Sequence, residues 1–446
     1  MYELNFVDYL DPQHELLRAA DLIEWGQLHH QMSDHYSTLG RRGKPIRLMV
    51  GLHILKHRYD CSDERAVEEL HENAYWQNFC GFAYFQRGKI IDPSSLVKFR
   101  NRIGVDGMQQ VESVLMQGWH SKGLVKTRRA VVDTTAQPKN IAYPTDADLL
   151  HNIREKIVNK VKTIKKSVGV KKSFRSFTRV SKKILLNVKK FYRQQPEKRI
   201  QGIKDLLSMT NQVVRQGSRI ANSLYARGHK AMGRQLNQLL SVGSKIVAQT
   251  RTVIKGDKPE KRLYSLHEHS VAAIKKGKAH KECEFGSLVS LMTNDDGVVL
   301  SHAEYQTNIA DSKTTGKVVS RMKANTGDRP DTLGGDRGFD QSYKKQERCR
   351  RRWGVKKIAI PKKGKKPHRD SDKSWFKQTL KQRAKIEPVI GHLKSDHRMG
   401  RCRYKGPEGD TTNVVWAVAA WNMRKTTRLY AKKQEKEAQR SVKRAA

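Results

Sequence analysis

Apolar residues recur at helical spacing through the first quarter of the chain. After Pro45, the positions Ile46, Met49, Val50, Leu52, Ile54 and Leu55 predict a helix that ends near Tyr59. Ser62 is placed to cap a second helix carrying Ala66, Val67 and Leu70. Asp92-Pro93 is a start signal, with Asp as N-cap and Pro at the first helical position. The helix after it turns Leu96, Phe99 and Ile103 inward and leaves Lys98, Arg100 and Arg102 elsewhere on its surface. Residues 1 to about 125 thus read as helical. Several short helices with a basic last one suit a helix-turn-helix-like module for nucleic acid, and a plain helical bundle explains the stretch equally well.

The period then changes. Ala130-Val-Val-Asp133 reads as a short buried strand ending at the aspartate. Beyond Pro144, apolar residues at Leu206, Val213 and Ile220, and again at Leu239 and Ile246, keep a spacing of seven, which predicts long amphipathic helices. Strand patterns return over Phe285–Thr293 and Val298–Ala303, joined by the turn Asn294-Asp-Asp-Gly297, where Asp295 and Asp296 are turn residues. A helix is predicted over 311–324. Thr332-Leu-Gly-Gly335 leads to Asp336, followed by a helix near 341–352 and a strand at Val355–Ile360. Pro361–Pro367 is a basic loop, 375–398 is helical, and Thr411–Leu429 forms a last helix with Val414, Val415, Val418 and Ala419 on one face. From Ala431 the charged tail is expected to fray. Strands mixed with crossover helices mean an α/β sheet covered on both faces.

Charge narrows the partners. Lys plus Arg number 89 against 44 Asp plus Glu, a net of +45 in 446 residues. A chain so lopsided resists compaction unless a polyanion neutralises it, so nucleic acid is the natural partner. Residues 151–200 are the extreme, with 17 Lys or Arg against Glu155 and Glu197. Five cysteines, none spaced C-x-x-C, argue against a zinc ribbon or a disulfide framework and fit a reducing compartment. No apolar run approaches the roughly 18 residues needed to span a membrane.

Within this basic chain three acids stand apart. Asp133 and Asp336 sit at predicted carboxyl ends of strands, where open α/β sheets place their ligands. Glu387 lies in Arg383-Ala-Lys-Ile-Glu-Pro-Val-Ile-Gly-His-Leu-Lys394. On a continuous helix Arg383, Lys394 and Arg398 would fall within about 40° of Glu387, giving one carboxylate among three cations on a single stripe. Pro388 works against that continuity and suggests a kink or a helix start. Such a stripe suits a phosphate backbone, although a solvent-facing salt-bridge ladder looks the same in isolation. His267-Glu268-His269 lacks the i, i+4 spacing of a zinc-binding helix and is expected on a loop or edge. Gly334-Gly335 is not a phosphate loop, since no G-K-[ST] follows; the pair permits close packing beside Asp336.

These motifs together resemble the DDE transposases of bacterial insertion sequences. The matching residues are Asp133 in Val-Val-Asp-Thr-Thr, Asp336 in Gly-Asp-Arg-Gly-Phe-Asp, and Arg383-x3-Glu387-x6-Lys394, with Leu380 where the family signature has Tyr. Arg41-Arg-Gly-Lys-Pro and Ser95-Leu-Val-Lys-Phe-Arg-Asn-Arg are similar to the DNA-binding domain that precedes such cores. The resemblance spans most of the chain apart from about 145–262. It implies an RNase H-like mixed-sheet catalytic core with a helical N-terminal domain and a helical insertion after the first core strand. In well-known relatives the insertion is β-rich and precedes the glutamate helix.

The expected domains are 1–125, helical and DNA-binding; 126–144 with 263–410, the catalytic core; 145–262, a basic helical insertion; and 411–446, a C-terminal helix and tail. The resemblance implies Mg²⁺, with Mn²⁺ as a substitute, double-stranded DNA of transposon ends and target, and a homodimer or larger assembly. It places the protein in the bacterial cytoplasm, on the nucleoid, away from membranes. Two metals about 3.5–4 Å apart, held by Asp133, Asp336 and Glu387, would generate the nucleophile and stabilise the leaving oxygen. Arg383, Lys394 and Arg398 would hold phosphates near the cut, with Lys98, Arg100, Arg102, Lys165, Lys166, Lys171 and Lys172 as further DNA contacts. A non-catalytic packaging protein would account for the charge but not the three acids. A metal-dependent nuclease that does not join strands remains the third reading.

Overall fold

A computed structural model of the chain describes residues 4–37, 39, 43–190, 194–275, 283–364 and 366–445. Arg41 and Arg42 of the Arg-Arg-Gly-Lys-Pro motif and Lys365 of the basic loop lie outside the described residues. The chain divides into two compact units, Met1–Asn140 with Ala273–Ala446, and Ile141–Ala272.

The first unit holds the sheet. Its strands are β1 (Arg129–Pro138), β2 (Ala272–Ile274), β3 (Glu284–Asn294), β4 (Val299–Tyr305), β5 (Thr332–Gly334) and β6 (Lys357–Ala359). They run in the order β2-β3-β1-β5-β6, with β4 also paired to β3. The pairs β1–β3 and β3–β4 are antiparallel, and β1–β5 and β5–β6 are parallel. The carboxyl ends of β1, β4, β5 and β6 therefore point the same way. The Asn294–Gly297 turn closes the β3–β4 hairpin: Asn294 Oδ1 accepts from the Asp296 and Val298 amides at 3.0 and 2.9 Å, and Gly297 takes φ +79°. Both sheet faces are covered. Met292, Leu300 and Ala303 join one core cluster, while Val289, Leu291 and Val299 join another with Val389 and Leu393.

Helices Ile46–Arg58, Asp63–Glu72 and Ser94–Ser121 precede β1. Ser62 caps the second, its hydroxyl accepting from the Arg65 amide at 3.1 Å, and Asp92 accepts from the Ser94 amide at 3.0 Å. These helices do not form a core of their own. Leu52, Phe99 and Trp119 share one cluster with Val132 and Leu333 of the sheet and Trp416 of the last helix.

Several predicted elements differ in the structure, and the strand expected to end at Asp336 stops at Gly334. β1 does not stop at Asp133: it continues to Pro138, because Thr134–Pro138 remain paired with Gly286–Ser290 of β3. The helix predicted over 375–398 is two helices, Ser374–Arg383 and Ile386–Ser395. Pro388 explains the break. In a continuous helix its missing N–H would leave the Ala384 carbonyl without a partner, whereas in the first turn of a new helix no such bond is needed. The last helix runs from Gly406 to Ala445 instead of fraying at Ala431, since the tail is rich in Ala, Lys, Glu, Gln and Arg, all good helix formers. Its centre is not one-faced either. Val414 through Ala420 are all buried, as suits a helix packed against both Ile46–Arg58 and Ser94–Ser121 as well as β4.

Among the described residues the second unit holds four helices, Asp146–Val168, Thr178–Lys190, Pro196–Ala226 and Lys230–Ile254, around their own core of Ile153, Ile157, Val161, Leu206, Val213, Ile220, Leu240 and Ile246. Leu240, rather than Leu239, occupies the inward position of the last helix.

Candidate active site

The parallel register of β1 and β5 pairs Val131 with Gly334. The pairing stops there: Asp133 lies two residues further along β1, while β5 ends at Gly334 and Asp336, expected at a strand end, follows it as the cap of the turn Arg337–Phe339. Gly334 is needed for the cover over this end of the sheet: a Cβ there would meet Thr379 Cγ2 of helix Ser374–Arg383 at 2.6 Å and Val131 Cγ1 at 3.1 Å. That helix is thereby pressed onto β5 and β1, and its last residue, Arg383, reaches the acids. Its Nη2 lies 3.6 Å from Asp133 Oδ2 and 3.0 Å from Glu387 Oε1. Its Nε is buried without a hydrogen-bond partner.

Asp336 opens a single tight turn, Arg337–Phe339, and its Oδ1 accepts from the Gly338 amide at 2.7 Å. A fourth carboxylate stands here. Asp311 follows β4, accepts a hydrogen bond from Thr134 Oγ1 at 2.5 Å, and brings Oδ2 within 2.6 Å of the point where a Cβ on Gly338 would sit. Asp336 Oδ1 lies 2.8 Å from that same point. Thr134 is the next residue after Asp133, so Asp311 approaches the strand from the opposite face. In the sequence Asp311 is only the first residue of the helix predicted over 311–324. The available signal was its place just after β4, at the sheet end that β1 and β5 also share.

Among the described residues no three His, Cys, Asp or Glu side chains gather closely enough to hold a metal ion, so the expected convergence of Asp133, Asp336 and Glu387 is not seen. Two contacts account for the spread. Nη2 of Arg383 stands between Asp133 and Glu387, and Asp336 is turned to cap Gly338. The donors nevertheless fit a hard divalent cation: all are carboxylate oxygens, and two of them already share one positive group.

The other predicted residues fall in varied settings. Lys394 pairs with Glu284 at 3.7 Å. Arg398 lies beyond helix Ile386–Ser395, with φ +66°, and pairs with Asp60 at 3.1 Å, so the four-residue stripe of the wheel is not formed. Arg100 is turned inward: it forks onto Asp63 at 3.0 and 2.7 Å and lies over the Tyr404 ring, a structural placement that replaces the surface contact predicted for it. Lys98 and Arg102 are exposed and line an open cavity of about 480 Å³ with Tyr36, Lys44 and Lys89. In the second unit Lys166, Lys171 and Lys172 are exposed and Lys165 is half-buried. His267-Glu268-His269 lies in irregular chain, with His267 Nδ1 3.4 Å from Lys156 Nζ.

Comparison with known proteins decides the family. Residues 4–102 match the family described as Transposase domain (DUF772), and residues 251–423 match the one described as Transposase DDE domain. The chain belongs to the DDE transposases of insertion sequences. This transposase is also 36% identical over 185 residues to a Rhizobium meliloti protein described as uncharacterized protein ORF8 in nfe locus, covering 41% of this chain and 87% of that one. No solved structure matches the transposase. The two matched stretches include Asp311, Asp336 and Glu387 but leave Asp133 and most of the helical unit between them. Among the described residues no helix is long and apolar enough to cross a membrane.

Proposed function

We propose that this DNA transposase binds the terminal inverted repeats of its element, hydrolyses phosphodiester bonds there, and joins the freed 3′-OH to target DNA, with Asp133, Asp336 and Glu387 as its catalytic acids. The observation that carries this reading is Arg383, whose Nη2 lies 3.6 Å from Asp133 and 3.0 Å from Glu387, at the end of the sheet where Asp336 follows β5, the strand paired with β1. The strand order supports an RNase H-like core: a central β1 flanked by an antiparallel hairpin on one side and two parallel strands on the other. The three carboxylates would hold divalent cations, Mg²⁺ or Mn²⁺. Bound there, the ions supply an activated water and stabilise the leaving 3′-oxygen. The protein's own part is to fix the acids on the sheet, keep Asp336 oriented through the Gly338 amide, and hold nearby phosphates with Arg383 and Lys394. Residues 1–125 and the basic helical unit would carry DNA binding, and the working form would be a dimer or larger assembly on DNA.

Asp133→Asn, Asp336→Asn and Glu387→Gln should each abolish cleavage of end-bearing DNA in Mg²⁺ while DNA binding survives, because affinity comes mainly from Lys and Arg. A variant that cuts at the wild-type rate removes that residue from the triad. Sequencing the products for joined strands separates a transposase from a nuclease that only cuts.

A further inference from the structure

We propose that Arg383 and a divalent cation compete for the same two carboxylates, and that a DNA phosphate resolves the competition by drawing the guanidinium away. The inference rests on the triad reading above. Nη2 of Arg383 contacts both Asp133 Oδ2, at 3.6 Å, and Glu387 Oε1, at 3.0 Å. One positive group therefore neutralises two oxygens that a metal would need, and the two cannot occupy that space together.

The arginine is also incompletely satisfied where it stands. A guanidinium offers five N–H donors in a fixed fork, and the Nε donor of Arg383 is buried with no acceptor. A phosphate accepts two parallel bonds from the Nε–Nη edge of such a fork and would satisfy that donor. Movement is not obstructed by deep packing, since the side chains of Arg383 and Glu387 are 27% and 64% exposed. Because the hydrogen bond to Glu387 spans the break between helices Ser374–Arg383 and Ile386–Ser395, it holds the two helix ends together until it is exchanged.

The consequence is a coupling between DNA and metal. DNA that takes Arg383 raises the affinity of the acids for the cation, and by linkage the cation raises affinity for DNA. The device would keep the acids neutralised, and hydrolysis off, until a phosphate is in place.

The test is Mn²⁺ binding to the full chain without DNA, read as loss of the free-ion electron paramagnetic resonance signal. Arg383→Gln should bind Mn²⁺ at least about fivefold more tightly than wild type, the lower end of ordinary coupling. Arg383→Lys, which keeps a cation but lacks the fork, should fall between the two and carries the test if the glutamine variant does not fold. Saturating duplex DNA should narrow the gap between wild type and Arg383→Gln. If Asp133→Asn and Glu387→Gln bind Mn²⁺ as wild type does, the metal-site reading fails. If those variants lose Mn²⁺ but Arg383→Gln gains nothing, the competition is overturned and the site stands. A gap that DNA leaves unchanged overturns the phosphate exchange.

Discussion

Gly338 shows how closely the acidic end of the sheet is built. Its missing side chain leaves the space into which Asp311 Oδ2 and Asp336 Oδ1 both project, at 2.6 and 2.8 Å from where a Cβ would lie. Gly338→Ala must therefore turn at least one carboxylate aside. Both are ends of rotatable side chains, so the fold should lose little, about 1 kcal/mol if the Asp336 cap on the Gly338 amide is given up. Cleavage should fall far more, on the order of 100-fold, because displacing a reacting group by about 1 Å has that effect. A denaturant melt beside a cleavage assay checks the pair. Equal, small losses in both would mean that neither carboxylate needs its present position. The three proposed acids could be singled out in the sequence because each stands beside an apolar or glycine-rich run in a basic chain, although β1 continues past Asp133 and β5 stops short of Asp336. Asp311 could not, since an aspartate before a helix is ordinarily a cap, and only the strand pairing brings it to Thr134 and Gly338.

At the scale of elements, helix Ile46–Arg58 carries His53 and His57 into a fully buried setting. Burial, reinforced by Arg100, pushes His53 down to about 3, and burial with Lys56 takes His57 well below its ordinary value. Burial likewise lowers His397, which follows the Glu387 helix, to about 4. An unfolded histidine titrates near 6.5, so between that value and the depressed folded ones the unfolded chain binds protons that the fold excludes. These three sites therefore lose stability as pH falls through 6.5. His302 works in the other direction. Burial and Arg321 oppose its charge, but Glu112 and Glu304 outweigh them and raise it, so its contribution is full below 6.5 and lost as pH rises through the folded value. Burial lowers His368 too, and four sites against one predict a net fall in the melting midpoint of the first unit from pH 7 to pH 5, measurable by calorimetry; a midpoint that holds or rises would contradict it. The helix itself was readable from its apolar spacing. Its burial on every side was not, because the covering element, Gly406–Ala445, lies some 360 residues away in the chain and periodicity reports only the nearer partner. The break before Glu387 was signalled by Pro388, yet the bond from Arg383 across it belongs to side-chain geometry that no helical wheel contains.

Across the whole molecule, charge is the dominant property and the easiest to read from composition, while its distribution decides what it does. The net +45 should make DNA affinity fall with salt at about 0.9 log units per log unit of salt for each phosphate neutralised. The helical unit Ile141–Ala272 contains the most basic stretch and keeps its hydrophobic core separate from these lysines. Reversing Lys165, Lys166, Lys171 and Lys172 to glutamate therefore tests binding with little risk to folding, since none of the four belongs to that core. If all four neutralise phosphates, the salt slope should become shallower by up to about 3.6, while cleavage of DNA already bound at low salt stays near wild type. If the slope is unchanged, the basic helices are a solvated surface and DNA is held by the first unit alone. If both the slope and the melting midpoint collapse, the lysines belong to the fold and their charge is not the cause. The salt titration, run alongside a thermal melt, tells these outcomes apart because phosphate release depends on ionic strength and core packing does not.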